Sequence, residues 1–440
     1  MNEEMALIVQ KFGGTSMANT ERIENVARTV AATKQAGNKV AVVVSAMAGQ
    51  TDYLLDLSSS ISVNPPLREQ DALVSTGEQV AAALLAITLA KMGHKSQSYT
   101  GMQLPMVTDD IHSKARILDL KTDRLQKVLD EGIIPVIAGF QGVNSEGDIT
   151  TLGRGGSDTT AVAIAAALKA DCCEIYTDVD GVYTTDPNIC PQARHLKQIS
   201  YSEMLELAGL GAKVLQTRSV ELAQKYRVPL VVKSSFGSNK HTWIVKKEDV
   251  MENSIIKGVT LERNVSKIVV IRVPDRPGIA YRILAPLADL AINVDMIIQN
   301  ASIDGHTDFT FTVPRTELTR AKALVQKVAD DIGAQEVMTA NGIVKVSAVG
   351  IGIKTNFGVA ARMFKALADE NINVQMISTS EYRISAVIDE KYGELAVRTL
   401  HQAFELEKNG NGGLRESLMP KHPDAAKPGS SDETDSGAGI

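Results

Sequence analysis

The chain has 440 residues and a formal net charge of −6, with 44% hydrophobic and 22% charged residues. That length exceeds one ordinary core and predicts two or three domains, and the acidic balance argues against a general nucleic-acid binder. No uninterrupted apolar run reaches membrane-spanning length, the longest being residues 80–90, and Glu3 and Glu4 leave no basic leader region, so a cytoplasmic protein with no membrane partner is expected.

Residues 7–12 read as a short apolar strand, followed by Gly13-Gly14-Thr15-Ser16 and a helix over 19–35. Lys11 is the last polar residue before the glycines, where an ammonium can meet phosphate as a point charge. The spacing matches neither the Walker loop nor the dinucleotide fingerprint. The run at 40–46 is apolar on both faces, as a strand buried in a parallel sheet would be. A helix over 69–92 and a strand over 133–140 come next.

Residues 148–160 read Asp-Ile-Thr-Thr-Leu-Gly-Arg-Gly-Gly-Ser-Asp-Thr-Thr, before an Ala-rich helix former at 161–170. Gly153, Gly155 and Gly156 permit tight backbone. A Gly-rich turn opening a helix aims several N–H groups at one anion, and Arg154 adds a planar fork suited to carboxylate or phosphate. Ser157 and Asp158 stand where N-cap residues stand, so the segment also reads simply as a capped helix start. A strand at 173–177, a helix at 213–227 and a strand at 230–234 complete this half. Cys172, Cys173 and Cys190 lack metal-ligand spacing and read as reduced core residues. The alternation predicts an α/β fold, a mostly parallel sheet with helices on both faces. Ligands then sit at the carboxyl ends of strands, where Lys11, Ser45, Phe140 and Asp178 fall.

Beyond a polar boundary lies an internal repeat with a constant offset of 80 residues. Gly278-Ile279-Ala280 matches Gly358-Val359-Ala360, and Ile292-Asn293-Val294-Asp295 matches Ile372-Asn373-Val374-Gln375. Each unit reads as a ferredoxin-like βαββαβ module. The expected division is a catalytic domain at 1–245, a linker at 246–262, modules at 263–340 and 341–407, and a disordered tail at 408–440 whose composition cannot build a core.

Four motifs occur in order: Lys11-Phe12-Gly13-Gly14-Thr15-Ser16, Gly139-Phe140-Gln141-Gly142, Thr151-Leu152-Gly153-Arg154-Gly155-Gly156-Ser157-Asp158 and Thr177-Asp178-Val179-Asp180-Gly181-Val182-Tyr183. In these the chain resembles the aspartate kinases of the amino acid kinase family, over roughly residues 6–405, in the form with two carboxy-terminal ACT modules. The resemblance implies ATP and Mg²⁺ as cofactors, L-aspartate as substrate and 4-phospho-L-aspartate as product, at the entry to lysine, threonine and methionine synthesis. It implies catalytic roles for Lys11, Glu78 and Asp158. It implies an aspartate site of Ser45, Thr51, Glu78, Arg154, Gly155, Gly156, Ser157 and Asp158, with Arg154 on the α-carboxylate and Glu78 on the ammonium. ATP would meet Lys11, Phe12, Gly13, Gly14, Thr177, Asp178, Tyr183, Lys213 and Val214; no side-chain metal cluster is implied.

Relatives often carry Arg where this chain has Asn188, so Asn188 receives no phosphate role. Lysine and/or threonine are the expected inhibitors. Their candidate contacts are Asp275, Gly278, Ala280, Asn293, Val294, Asp295 and Gln299 in the first module. In the second they are Val359, Ala360, Asn373, Val374, Ser380 and Glu381. A homo-oligomer, or a hetero-oligomer with an ACT-only subunit started at Met251, is expected. A glutamate-type amino acid kinase and a non-catalytic amino-acid sensor remain as alternatives.

Overall fold

The computed structural model describes residues 5–212, 214–246, 255–300, 302, 304–354, 356 and 358–408. The chain forms two compact units, one running to Asp178 with Val228–Leu230 added, the other holding Val179–Arg227 and the chain from Val231 onward.

In the first unit, the strands are β1 (Leu7–Phe12), β2 (Lys39–Val44), β3 (Ser96–Tyr99), β4 (Met106–Thr108), β5 (Ile117–Leu120), β6 (Ile134–Ala138), β7 (Gln141–Val143), β8 (Ile149–Thr151) and β9 (Cys172–Thr177). The helices are α1 (Thr20–Gln35), α2 (Gln50–Ile61), α3 (Leu67–Val74), α4 (Thr76–Lys91), α5 (Asp123–Asp130) and α6 (Gly156–Leu168). A parallel sheet runs in the order β9-β1-β2-β6-β3. β2 carries four valines, β-branched residues that suit a pleated buried surface, and it is buried along nearly its whole length. Asn19 caps α1 by accepting the Arg22 N–H, as the sequence predicts. A core of Phe12, Val26, Val30, Val42, Leu85, Leu89 and Val136 joins α1 and α4 to the sheet.

Three expectations change here. The helix expected over 69–92 is two helices meeting at Ser75, and together Leu67–Lys91 is long and apolar enough to cross a membrane. Its Ala81, Ala82, Leu85 and Leu89 face lies in the core, while Leu67, Val80 and Ile87 are exposed. The strand at 133–140 stops at Ala138, because Phe140 turns the chain at φ 70°. A second sheet, β5-β4-β7-β8, comes from strands of only three or four residues, too short to show a period in sequence.

The second unit opens with β10 (Val182–Tyr183), β11 (His195–Leu196), β12 (Gln198–Ser200), α7 (Tyr201–Gly209), α8 (Thr217–Tyr226), β13 (Leu230–Ser234) and β14 (His241–Val245). A capping box, Ser200 with Glu203, starts α7. Then come β15 (Gly258–Glu262), β16 (Ser266–Pro274), α9 (Ile279–Asp289), β17 (Ile297–Gln299), β18 (His306–Val313), α10 (Leu318–Ile332) and β19 (Glu336–Ala340). The chain ends in β20 (Ile343–Val349), α11 (Val359–Asp369), β21 (Val374–Thr379), β22 (Arg383–Asp389) and α12 (Gly393–Ala403). The first module's sheet is β17-β18-β16-β19 and the second's is β15-β20-β22-β21. Both are ferredoxin-like, but the fourth strand of the second module is β15, which precedes the first module. Residues 258–262 are therefore not linker: Val259 and Thr260 pair with Ala348 and Ser347. The repeat hid this, since β15 lies outside the 80-residue register. Gly278 and Gly358 both start their helices in the left-handed region, at φ 89° and 95°, which explains the glycine at each site. Residues 247–254, Met251 among them, and the expected tail from 409 lie outside the described residues.

Candidate active site

Lys11, Ser45, Gly139 and Thr177 stand at or just past the carboxyl ends of four parallel neighbours, β1, β2, β6 and β9. Lys11 is buried, and its Nζ lies 2.6 Å from Asp158 Oδ1. The contact is a buried ion pair. Asp158 is the third residue of α6, and Gly155, at φ 68°, occupies the cap position. Ser157 and Asp158 are thus inside the first turn and not at the N-cap, which leaves the Asp158 carboxylate free to face Lys11.

The glycine motifs interlock. A Cβ on Gly139 would lie 2.8 Å from Ser157 Cβ, and one on Gly156 would lie 2.8 Å from the Phe140 ring. The Phe140 N–H donates to Thr160 Oγ1 at 3.1 Å, and its carbonyl accepts from Leu152 N–H at 2.8 Å. The turn after β6 is thereby packed against the start of α6. On the other flank, a Cβ on Gly77 would come within 2.8 Å of Ala46 Cβ, and one on Gly14 within 3.1 Å of the Ala46 carbonyl. Ala46, just past β2, is held between the first Gly turn and the start of α4.

Glu78 sits in the first turn of α4, 3% exposed. Its Oε1 accepts the Ala46 N–H at 3.1 Å, while Oε2 is buried without a partner. Burial pushes its pKa up to about 7, against the opposing Ala46 hydrogen bond. Arg154 is the reverse case: it is exposed and its guanidinium makes no hydrogen bond or ion pair among the described residues. Ser45 is half-buried, its N–H donating to the Phe12 carbonyl, and Thr51 is half-buried in the first turn of α2. Phe12 stacks on Tyr176 with ring centroids 4.6 Å apart, in the core on the sheet face opposite the Lys11 side chain. A buried carboxylate with one oxygen unpartnered in the first turn of α4, and an exposed guanidinium and a preformed Lys–Asp pair at the start of α6, suit a small ligand bearing both charges beside a polyanion.

The amino acid kinase family matches residues 6–234, and ACT domains match residues 267–333 and 346–404. The chain belongs to the amino acid kinase family. An aspartate kinase of Pseudomonas putida is 55% identical over 404 residues, covering 92% of this chain and 98% of its own length. An aspartokinase of Corynebacterium glutamicum is 48% identical over 407 residues, covering 91% and 97%. Among solved structures, E. coli aspartokinase III in complex with aspartate and ADP matches with a TM-score of 0.77 at 25% identity, covering 91% of this chain and 100% of that one.

In the second unit the kinase segment after β9 carries Tyr183. Its hydroxyl donates to Asp180 Oδ1 at 2.8 Å, Lys240 Nζ approaches that hydroxyl at 3.3 Å, and Ser238 Oγ donates to Asp180 Oδ2 at 3.2 Å. Sequence reasoning missed Lys240 and Ser238, because they lie more than fifty residues from the motif they complete. His195 packs edge-on against Tyr183, and its Nε2 is 2.4 Å from where a Cβ on Gly181 would sit. Asn188 donates to its neighbour Asp186 in a local turn. Val214 is half-buried, and Lys213 lies outside the described residues.

Between the ACT modules, Asp295 is not a free carboxylate. Lys345 Nζ pairs with its Oδ2, and Arg383 reaches Oδ1 at 3.6 Å and Glu206 of α7 at 3.5 Å. The pseudo-equivalent contact is neutral on one side, with Lys267 Nζ donating to Gln375 at 2.8 Å. Asp275, Asn293, Gln299 and Asn373 are exposed, Ala280, Val294 and Val374 pack partly on module cores, and Val359 is buried in one. A cavity of about 400 Å³ in the second module is lined by Lys354, Gly358, Ala360, Ser380, Glu381 and their neighbours.

Proposed function

We propose that the chain is an aspartate kinase that transfers the γ-phosphoryl group of ATP to the β-carboxylate of L-aspartate. The observation that carries the reading is the buried Lys11–Asp158 pair at the carboxyl end of β1, with Glu78 held on the Ala46 N–H just past the neighbouring β2. A substrate carboxylate with pKa near ~4 is ionised at neutral pH and needs no general base. The difficulty is two anions approaching in line, so positioning and cationic neutralisation carry the rate. A β-carboxylate oxygen attacks the γ-phosphorus, the bond to the ADP oxygen breaks, and an acyl phosphate forms. Lys11 spreads the charge developing on the transferred group, and Asp158 fixes the Lys11 ammonium in place. Arg154 binds the α-carboxylate as a fork, and Glu78, once ionised, the ammonium. Among the described residues no three His, Cys, Asp or Glu side chains converge. A Mg²⁺ would arrive with the nucleotide and would supply charge neutralisation at its phosphates.

The modules serve as the regulatory device, with lysine or threonine as the effector class. The solved E. coli aspartokinase III with lysine and aspartate, matching with a TM-score of 0.71, supports lysine. The cavity beside Gly358, Ser380 and Glu381 offers a helix N-terminus to a carboxylate and Glu381 to an ammonium. Contacts within the second unit support a link from the modules to the segment carrying Tyr183. Thr184, next to Tyr183, meets His401 Nε2 of α12 at 2.9 Å and accepts the Val259 N–H at 2.8 Å. An internal start at Met251 would keep β15, so an ACT-only subunit would retain both four-stranded sheets.

The deciding experiment is hydroxamate formation from ATP, Mg²⁺ and aspartate, with glutamate in parallel. Product from aspartate is expected. Product from glutamate alone reassigns the substrate, and none from either leaves the amino-acid sensor.

A further inference from the structure

Asp71 lies in the last turn of α3 and is 1% exposed. A buried carboxylate has to be met by donors, and here they come from two other chain segments. Thr151, the last residue of β8, donates its hydroxyl to Oδ1 at 2.6 Å and its backbone N–H to Oδ2 at 3.1 Å. Ser113, in the loop between β4 and β5, donates its backbone N–H to Oδ2 at 2.9 Å and its hydroxyl to Oδ1 at 3.3 Å, while His112 Nδ1 lies 2.8 Å from Oδ2. The Ala115 N–H then donates to the Thr151 carbonyl at 2.9 Å, tying the two segments together.

Both flanks of Asp71 lead to the candidate site. Ser113 is held at φ 65°, which a non-glycine residue keeps only when its surroundings impose it. Its carbonyl lies 3.0 Å from where a Cβ on Gly153 would sit, so it backs the turn that presents Arg154. Gly153 and Gly155 are both left-handed and the guanidinium has no partner of its own, so this turn depends on what lies behind it. On the other flank, the Asp71 carbonyl accepts the Ser75 N–H at 3.1 Å, and α4 begins at the next residue, carrying Glu78.

We propose that Asp71 is a positioning residue for aspartate phosphorylation: one buried carboxylate sets the spacing between the Arg154 guanidinium and the Glu78 carboxylate. It thereby tunes recognition of the α-carboxylate without touching substrate. This rests on the assignment of Arg154 and Glu78 to the two α-substituents. Misplacement by about 1 Å is enough to lose about 10²-fold in such a site.

The test is Asp71→Asn, which keeps the volume but turns an amide N–H₂ toward donors. The aspartate KM should rise about tenfold while the ATP KM stays within about twofold, the pattern of lost substrate binding. Discrimination against 3-aminopropanoate, which is aspartate without its α-carboxylate, measured by competition, should fall by the same factor. Independently of any substrate, tryptic cleavage after Arg154 in the native variant should quicken about tenfold, as a loosened turn opens more often. Parallel changes in both KM values, or unchanged discrimination with unchanged cleavage, would overturn the proposal. If the Asn variant does not fold, Thr151→Val and Ser113→Ala each remove one hydroxyl donor. Each should raise the aspartate KM about threefold, in keeping with one lost hydrogen bond, and no rise in either overturns the proposal equally. A wild type inactive on aspartate refutes the substrate assignment, while the cleavage comparison still judges Asp71.

Discussion

Glu78 and Asp295 are two acids that the sequence offers as receptors for an amino acid's ammonium, and the structure treats them oppositely. Glu78 is buried with one oxygen unpartnered and its pKa raised to about 7. Asp295 is more exposed and yet engaged by both Lys345 and Arg383. A buried carboxylate without a cation is held at a cost in stability and awaits a ligand charge. A carboxylate already paired is a strut, and a ligand reaches it only by displacing its partners. The first pattern marks a site and the second an interface.

The sharpest way to break this contrast starts in the unit that holds Glu78. Lys11→Ala should lower turnover by about 10³-fold or more, since it removes the charge that meets the transferring group; near-normal turnover with an intact circular dichroism spectrum removes Lys11 from the mechanism. On the interface side, Asp295→Ala leaves Lys345, with a side chain 5% exposed, without its carboxylate. It should cost about 3 kcal/mol in stability and weaken inhibition by lysine or threonine while basal turnover persists. A thermal melt equal to wild type would show that the pair is not a strut.

Glu78→Gln should raise the aspartate KM about tenfold by losing a charge opposite an ammonium. In the wild type, kcat/KM for aspartate should fall as pH drops through about 7, where Glu78 takes up its proton, and the Gln variant should lose that step. The stability sign is the reverse of an ordinary salt-bridged acid. The folded pKa of about 7 exceeds the ordinary 4.5, so the protonated form's advantage is full below 4.5 and lost as pH rises toward 7. The Gln variant should therefore melt above wild type at alkaline pH, with the gap closing in acid. A gap that widens in acid would mean that Glu78 is paired after all. The smallest effect belongs to Gln375→Ala, which removes the Lys267 hydrogen bond at the pseudo-equivalent contact and should cost about 1 kcal/mol. A loss matching that of Asp295→Ala would erase the difference between the charged and neutral sides.

Much of the architecture was legible in the residues. The parallel sheet follows from apolar runs alternating with helical periods, and Lys11, Ser45 and Asp178 fall at strand ends as that alternation requires. The two ferredoxin-like modules follow from the 80-residue repeat. What escaped has a common physical character: it depends on contacts between distant segments. Asp71 reads as one more helix acid until Thr151 and Ser113 arrive on it. Lys240 and Ser238 join Tyr183 only through the fold. The fate of Asp295 turns on Lys345, whose position in the strand says nothing about which carboxylate it meets.

The placement of β15 bears on how the protein is made. As the chain leaves the ribosome, residues 258–262 emerge before the whole first module, which can close its own sheet at once because β16 to β19 are contiguous. β15 has no sheet to join until β20 emerges from residue 343 onward. Throughout that interval its β20 edge is open, while the Val259 N–H already has the Thr184 carbonyl as a partner. The second module therefore assembles by non-local pairing, the slower kind. A pause in synthesis between residues 262 and 343 therefore lengthens the exposure of this open edge.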